Sequence, residues 1–237
     1  MQRPQNSEQN RFLSALSAGD YEWITPHLKS VNTKAGDVLA EPDEPFEHVY
    51  FMESGVVSVT NQVSGGIVEV GTVGNEGVAG LSAYLSGEGL PSRTFVQVPG
   101  SAKRMSARIF ATGVEERPEL RRLLHRYTQA FLVQVAQTAA CNRAHNIDSR
   151  CARWLLMTHD RVQGADTFSL THQFLAYMLG VRRAGVTVAA GALQKAGYIR
   201  YTRGKVTVLD RAGLEGAACE CYGIARDQMQ KLVGVPG

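Results

Sequence analysis

The sequence is poor in the residues that build disulfide-rich or membrane-spanning proteins. It holds 4 cysteines in 237 residues, too few for the disulfide framework of a small secreted domain. No run approaches the ~18 apolar residues that a membrane span requires. The polar stretch at residues 1–8 lacks the apolar core of a signal peptide. We therefore expect a cytoplasmic protein that does not enter the membrane.

Acidic residues are missing from residues 167–209, although that stretch holds 6 lysines and arginines. Charge is uneven along the whole chain as well. Residues 1–146 hold 13 basic and 15 acidic side chains, whereas residues 147–237 hold 12 basic and 7 acidic ones. A basic, acid-free segment suits a polyanionic partner. The two halves of the chain are therefore expected to face different partners.

The four cysteines are Cys141, Cys151, Cys219 and Cys221. A tetrahedral four-cysteine zinc site needs two close pairs in the sequence. Cys219 and Cys221 form one close pair, and no second pair is evident. We interpret all four as ordinary thiols and predict no metal site; the alternative is a redox or metal role for Cys219 and Cys221.

Residues 171–209 are predicted to fold as a winged helix-turn-helix. Thr171 is suited to cap a helix over 171–179, and Gly180 tolerates the left-handed backbone of the turn that follows. A second helix is predicted over 183–194, and alternating residues at 198–201 and 205–209 predict a basic hairpin. The alternative is an ordinary helical hairpin whose solvent face happens to be basic.

The basic residues of this unit are the candidates for binding duplex DNA. Arginine can bridge O6 and N7 of guanine, threonine can contact a thymine methyl or a phosphate, and basic residues of a hairpin suit phosphates. The predicted DNA-binding residues are Thr171, His172, Gln173, Arg182, Arg183, Thr187, Arg200, Arg203 and Lys205.

The N-terminal half has the pattern of an all-β unit preceded by two helices, predicted over 8–16 and 21–27. Short β-branched runs at 49–52, 56–60, 67–70 and 95–98 alternate with glycine-containing turns and predict strands. A short helix is predicted over 78–85. Many short strands with this spacing favour a sandwich or a rolled barrel.

A long helix is predicted from Pro118 to about residue 144, a length of roughly 40 Å. Such a helix needs a second surface to bury its apolar seam. We expect a twin helix from a second subunit, the alternative being the chain's own barrel. A hinge over 146–149 and a helix over 151–161 are predicted to follow. The predicted dimerisation residues are Leu120, Leu124, Tyr127, Phe131 and Val135.

This order of elements resembles the Crp/Fnr family of bacterial transcription regulators, most specifically at residues 170–181 and 193–199. The resemblance implies an α+β fold with an N-terminal β-roll (a double-stranded β-helix), a long dimerisation helix and a C-terminal winged helix-turn-helix. It implies an effector domain over 1–117, a dimerisation helix over 118–146 and a DNA-binding domain over 147–237. It also implies a homodimer, RNA polymerase as a partner, and an effector whose identity is unknown.

The resemblance also implies where an effector would bind. Family members that bind cyclic AMP hold the ribose with a Gly-Glu pair and the phosphate with an Arg-Ser or Arg-Thr pair. Arg93 and Thr94 match the second pair, but Leu81 follows Gly80 where glutamate is expected, and leucine cannot accept the ribose hydrogen bond. We therefore do not expect ordinary cyclic AMP binding. The candidate effector residues are Glu76, which is the nearest carboxylate, Gly80, Leu81, Arg93 and Thr94.

Other sensing chemistries of the family leave different traces. Its iron–sulfur sensors use cysteines near the N-terminus, and the first cysteine here is Cys141, so we do not expect an iron–sulfur cluster. His27 and His48 are the candidates for a haem ligand, although each is more simply interpreted as a surface histidine.

The second predicted helix of the DNA-binding unit departs from well-known family members. Arg183 matches a family arginine, but Ala184 and Val188 replace a glutamate and an arginine that contact bases. The DNA site is therefore expected to differ from the familiar palindromes.

Our interpretation is a homodimeric DNA-binding regulator rather than an enzyme. One alternative is a cupin-like metal enzyme on the β-roll, which needs clustered histidine and glutamate ligands. The other alternative is a sensor module that acts through protein contacts alone.

Overall fold

The computed structural model of the chain describes residues 9–162 and 165–234. It begins with two short helices, α1 (Arg11–Ser14) and α2 (Ala18–Ile24), and a 3-10 turn (Thr25–His27). Asn10 and Ser17 define the helix starts, because each side chain accepts a backbone N–H three residues further on. The helices predicted over 8–16 and 21–27 are therefore shorter or displaced, and Glu8 lies outside the described residues.

A β-roll of two four-stranded antiparallel sheets follows. One sheet has the order β1-β8-β3-β6 and the other β2-β7-β4-β5. The four predicted strands are confirmed as β3, β4, β5 and β7, each longer than predicted. The strand bounds are β1 (Lys29–Thr33), β2 (Val38–Ala40), β3 (His48–Met52), β4 (Val56–Val63), β5 (Gly66–Val73), β6 (Val78–Ala79), β7 (Ser92–Val98) and β8 (Gly100–Ser106).

The segment predicted as one helix over 78–85 is divided into a strand and a helix. Val78 and Ala79 form β6, which pairs with β3, and only α3 (Ser82–Leu85) is helical. Gly80 lies between them with φ +108, a backbone conformation that glycine adopts without steric cost. The helix was predicted too long because the run of mostly apolar residues over 78–85 does not show that the chain changes from strand to helix at Gly80.

After α4 (Ala107–Glu116), the helix α5 (Pro118–Ala144) has the predicted bounds, with proline in its first turn. The predicted dimer seam needs correction, however. Leu120, Leu124 and Tyr127 are each 0% exposed within one subunit, where they pack in the same core as Phe12 and Phe51 of the N-terminal unit. These three residues are buried in the subunit's own core and are not available to a second subunit. The other two residues of the predicted seam, Phe131 and Val135, are half-buried and lie beside Gly71 of β5.

The helix α6 (Ile147–His159) begins earlier than predicted. Asn146 caps it by accepting a hydrogen bond from the backbone N–H of Ser149 at 2.9 Å. The predicted hinge over 146–149 is therefore mostly the first turn of a helix. The break between α5 and α6 is confined to His145 and Asn146.

The winged helix-turn-helix is confirmed. It consists of β9 (Thr167–Ser169), α7 (His172–Leu179), α8 (Arg183–Lys195), β10 (Ile199–Thr202) and β11 (Lys205–Val208), with the sheet order β10-β11-β9. Thr171 caps α7 through the backbone N–H of Phe174 at 3.2 Å. Gly180 ends it in the left-handed region at φ +58. Both local signals in the sequence therefore act as predicted.

Two helices complete the described chain, α9 (Arg211–Ala217) and α10 (Cys221–Val233). The helix α10 packs along α5, and its residues Met229 and Val233 belong to the core of the N-terminal unit. The last helix therefore leaves the unit predicted over 147–237. Among the helices of the described ranges, none combines the length and the apolar character needed to cross a membrane.

Glu69 on β5 is a carboxylic acid buried in the core. Its side chain accepts a hydrogen bond from the hydroxyl of Ser58, and its Oε1 has no hydrogen-bond partner among the described residues. Burial raises its pKa to about 8, against the opposing effects of Ser58 and of the charges of Arg161 and Arg153.

We expect Glu69 to make the protein less stable as the pH rises. An unfolded chain releases this proton near the ordinary pKa of 4.5, whereas the folded chain holds it to about 8. The stabilisation is thus complete below the unfolded pKa, and it is lost by up to about 1.4 kcal/mol per pH unit as the pH rises through the folded value. Urea unfolding between pH 4.5 and 8 measures this effect. The free energy of unfolding of Glu69→Gln should fall less steeply with rising pH than that of the wild-type protein.

Glu88→Gln is the matched control, because Glu88 is an exposed carboxylate of the same domain. It should keep the pH dependence of the wild-type protein. An equal pH dependence in wild type and Glu69→Gln would contradict the buried, protonated state of Glu69.

Candidate nucleic-acid interface and effector pocket

The helix α8 has a buried face and an exposed basic face. Val186, Ala189, Ala190 and Leu193 are buried, and three of these four were predicted to face inward. Arg182 and Arg183 are exposed at the helix start, where free backbone N–H groups and the helix dipole add positive potential. The first turn of α8 therefore presents a surface that attracts anions.

Several exposed residues further along α8 have small or apolar side chains. Val188 is 70% exposed, and Ala184, Gly191 and Ala192 are exposed as well. The hydroxyl of Thr187, also exposed, donates a hydrogen bond to the carbonyl of Arg183 at 3.2 Å. Exposed methyl groups on such a helix are suited to contact the methyl group of thymine.

The start of α7 carries three predicted DNA-binding residues with different environments. Thr171 is engaged as the helix cap, and Gln173 is exposed. His172 stacks on Tyr201 of the wing, with ring centroids 4.4 Å apart. Burial, and then the charge of Arg183, lower the pKa of His172, so this ring is neutral at pH 7. It positions the wing against α7 rather than adding charge.

The wing is a tight hairpin with its basic residues outside. Arg200, Arg203 and Lys205 are exposed, and Arg203 and Gly204 form the turn with φ +50 and +76. The wing is held to the helices because Tyr201 N–H donates to Gln194 Oε1 at 2.7 Å and its hydroxyl donates to the carbonyl of Leu170 at 2.8 Å. These bonds fix the basic hairpin beside α8.

The predicted cations of this surface are not neutralised within the subunit. In residues 9–162 and 165–234, no carboxylate forms an ion pair with the five basic side chains Arg182, Arg183, Arg200, Arg203 and Lys205. The structure thus places these five residues on the surface of one small unit, as the sequence predicted.

The start of α8 lies beside the β-roll of its own subunit. A groove of about 550 Å³ separates the β4–β5 hairpin from the α7–α8 turn, and Ile67, Val68, Arg182 and Arg183 are among its lining residues. The β4–β5 hairpin and the basic turn therefore form the two walls of one groove.

The predicted effector residues do not form one site. Gly80, Leu81 and Thr94 line a mostly apolar cavity of about 50 Å³ in the β-roll. Arg93 lies outside it, where its Nε and Nη2 donate to Glu41 at 3.0 and 3.2 Å. The cavity is far smaller than the ~300–1,000 Å³ of ligand pockets. The side chain of Phe131 also lines this cavity, which the sequence did not predict.

Glu76 was a candidate effector ligand, and the structure corrects this. Its carboxylate is buried and pairs with Arg161, which follows α6, with Nη2–Oε1 at 2.7 Å and Nε–Oε1 at 3.0 Å. Burial alone would raise the pKa of Glu76, but the charge and hydrogen bonds of Arg161 outweigh it and lower that pKa. Glu76 therefore connects the β-roll to the DNA-binding unit.

Comparison with known families identifies both units. Residues 30–116 match the family model of the cyclic nucleotide-binding domain, and residues 149–217 match that of the Crp-like helix-turn-helix domain. The two matches together span more than half of the chain. A search of curated proteins found no match to the sequence.

Solved structures of similar fold agree with these matches. FixK2 from Bradyrhizobium japonicum is 18% identical, with 81% of this chain and 98% of that chain covered and a TM-score of 0.68. A CRP-family transcriptional regulator from Thermus thermophilus is 21% identical, with 81% and 99% covered and a TM-score of 0.66. The c-di-GMP-responsive regulator CLP from Xanthomonas campestris is 16% identical, with 81% and 99% covered and a TM-score of 0.62.

At these identities the structures establish the fold, and the two family models establish the relationship. Both agree with the arrangement of β-roll, long helix and winged helix-turn-helix described above. This chain belongs to the Crp/Fnr family of DNA-binding transcription regulators.

Proposed function

We propose that this chain regulates transcription as a homodimer that binds a two-fold symmetric DNA site. The observation that carries the proposal is the exposed, unneutralised pair Arg182 and Arg183 at the first turn of α8. A helix-turn-helix inserts its second helix into the major groove with the N-terminal residues towards the base edges. The protein would act in the cytoplasm and contact RNA polymerase beside its DNA site.

Base contacts and phosphate contacts are assigned to different elements. Arg182 and Arg183 supply bidentate contacts to guanine, and Val188 and Ala184 face thymine methyl groups. Arg203, which is at the tip of the wing, and the neighbouring Arg200 and Lys205 contact phosphates, which position the protein without specifying sequence.

Replacing both Arg182 and Arg183 with alanine should strongly reduce sequence preference. Each good bidentate contact contributes about 1–3 kcal/mol of discrimination, so the ratio of specific to non-specific affinity should fall at least tenfold. The preferred site is first selected from a random duplex pool. Fluorescence anisotropy then compares that duplex with a scrambled one; an unchanged ratio in the double variant would contradict the assignment of α8.

Arg203→Ala is the matched control for that experiment. It removes one exposed arginine from the same unit, so it should weaken binding to both duplexes alike and reduce the slope of log K against log salt by about one. A module that acts only through protein contacts would show no steep salt dependence in any variant.

The outer side of α5 is the proposed dimer contact, in place of the seam predicted from the sequence. Leu132 is 61% exposed, and Ala136 and Ala139, which follow it at helical spacing on the same face, are exposed as well. This stripe lies away from Leu124 and Tyr127, which are buried in the subunit's own core. Two α5 helices packed through the stripe would place two α8 helices about 34 Å apart, one turn of DNA.

Leu132→Asp should convert the dimer to monomers, because it places two unpaired carboxylates in the proposed contact. Sedimentation equilibrium measures the change. Leu85→Asp is the control, since Leu85 is also strongly exposed, at 58%, but lies on α3. Leu132→Asp sedimenting as a dimer would place the contact elsewhere.

Cyclic AMP is not the proposed effector. The cavity of only about 50 Å³ is lined mostly by apolar side chains, Leu81 and Phe131 among them, and Arg93 is paired with Glu41 outside it. We therefore propose that the dimer binds DNA without a cyclic mononucleotide.

Titration calorimetry should detect no binding of cyclic AMP or cyclic GMP at micromolar concentration. Cyclic di-GMP belongs in the same series, because a regulator of similar fold responds to it. Micromolar binding of cyclic AMP that disappears in Arg93→Ala would mean that the Arg93–Glu41 pair opens and that the cavity expands around the nucleotide.

A further inference from the structure

Three cysteines and one histidine come together at the end of α5. Cys141 and His145 lie in the last turn of α5 and directly after it, and Cys219 and Cys221 flank the start of α10. The ligand atoms of all four lie within 4.8 Å of one another. The Sγ atoms of Cys141 and Cys219 are 3.4 Å apart, and Cys221 Sγ is 3.6 Å from His145 Nδ1.

The sequence offered Cys219 and Cys221 as a close pair without a second one, and the structure supplies the second pair. Cys141 and His145 are four positions apart in the sequence, which places them on the same side of α5. The packing of α10 along α5 brings the two pairs together across 78 positions of the sequence. The interpretation as ordinary thiols missed this because the pairing is long-range and includes a histidine.

The spacing suits a single ion with tetrahedral coordination. In a tetrahedron, zinc–sulfur bonds of ~2.3 Å and zinc–nitrogen bonds of ~2.0–2.1 Å place two sulfurs about 3.8 Å apart and a sulfur and a nitrogen about 3.6 Å apart. The observed Sγ–Sγ distance of 3.4 Å and Sγ–Nδ1 distance of 3.6 Å are close to these values. A cluster of several irons spreads its ligands over different metal atoms, for which these four atoms are too close together. All three cysteines are buried, as in closed structural zinc sites.

The neighbouring polar groups are those of a metal-bound histidine and thiolate. His145 offers Nδ1 to the cluster, and its Nε2 lies 3.1 Å from Glu220 Oε1. A carboxylate behind the second ring nitrogen is the usual support of a zinc-bound histidine. Gln137 Nε2 donates to Cys221 Sγ at 3.0 Å, and such a bond stabilises a thiolate.

A buried positive charge lies beside the cluster. The guanidinium of Arg153 is fully buried and donates from Nη2 to Thr138 Oγ1 at 3.0 Å, one helical turn before Cys141. Its Nε and Nη1 have no hydrogen-bond partner among the described residues. One Zn²⁺ with three thiolates and a neutral imidazole carries a net charge of −1, which compensates a buried cation.

We propose that Cys141, His145, Cys219 and Cys221 bind one Zn²⁺ ion in a structural site of the Cys₃His class. With four protein ligands there is no open coordination position, so the ion supports the fold and does not act as a catalyst. It connects the C-terminal end of α5 to the start of α10, directly beside the break between α5 and α6. The ion thereby holds the joint from which the DNA-binding unit departs.

The first test measures zinc in the whole 237-residue chain, prepared without a histidine tag and kept reduced. Elemental mass spectrometry should give one zinc per chain, and removal by a chelator should lower the thermal midpoint. Replacement with Co²⁺ should give the intense visible bands of tetrahedral cobalt and a thiolate-to-cobalt charge-transfer band. No zinc or cobalt retained by wild type, or an octahedral cobalt spectrum, would overturn the proposal.

Variants then assign the ligands. Cys219→Ser and His145→Ala should lose the stoichiometric metal, and Glu220→Gln should weaken zinc affinity about 10- to 100-fold. Cys151→Ala is the matched control, because Cys151 is a buried thiol of α6 outside the cluster, and it should retain one zinc. Retention of full zinc affinity by Cys219→Ser would contradict the ligand set.

A disulfide between Cys141 and Cys219 is the competing outcome. It would leave the mass of the non-reduced protein 2 Da lower, with no metal bound and two thiols fewer on titration. If protein that was purified under reducing conditions still contains this disulfide and no metal, the zinc proposal is wrong and the two cysteines form a redox pair. The cobalt spectrum of wild type decides between the two even if a cysteine variant fails to fold.

Discussion

The buried ion pair between Glu76 and Arg161 is the constraint on which the arrangement of the two units depends. Glu76 belongs to the turn between β5 and β6, and Arg161 to the segment after α6. A side chain at Gly74 would collide with Arg161, so the turn is shaped around the guanidinium. Separating the units would leave two unpaired charges, at a cost of several kcal/mol if either stayed buried. The pair therefore fixes α6, and with it the winged helix, against the β-roll.

This pair also lies between the β-roll cavity and the DNA-binding surface. Gly77 follows Glu76 and is packed so closely on Tyr127 that no side chain fits there, while Val78 and Ala79 line the cavity. Burial, and then the charge of Glu76, raise the pKa of Tyr127. A rearrangement of β6 must therefore either carry Glu76 with it or break its pair with Arg161. The pair is therefore one contact between the β-roll and the DNA-binding unit, and the β4–β5 hairpin lies across a groove from Arg182.

The sequence predicts well what local chemistry decides. Thr171 and Gly180 set the ends of α7 through their own backbone bonds, and the acid-free stretch predicted the basic surface. The sequence predicts poorly which other part of the molecule, or which second subunit, an apolar surface packs against. The periodicity of Leu124 and Tyr127 indicated an apolar seam, but a seam packs equally well on a β-roll or on a twin helix. Glu76 was assigned to the effector because nothing near it in sequence reveals Arg161. For the proposed zinc site, the sequence offered the close pair Cys219 and Cys221 and the spacing of Cys141 and His145, but nothing that brings the two pairs together.

Different sides of the long helix α5 contact different parts of the molecule. Its inner side, with Leu120, Leu124 and Tyr127, is fully used by the N-terminal core. Phe131 lines the β-roll cavity, Leu132 is exposed, and Cys141 is close to Cys219 and Cys221 before and at the start of α10. The 27 residues of α5 span about 40 Å at about 1.5 Å per residue, which is long enough to carry all of these contacts. Subunit folding therefore depends on the inner side of α5, whereas the proposed dimer contact would use the exposed side that carries Leu132.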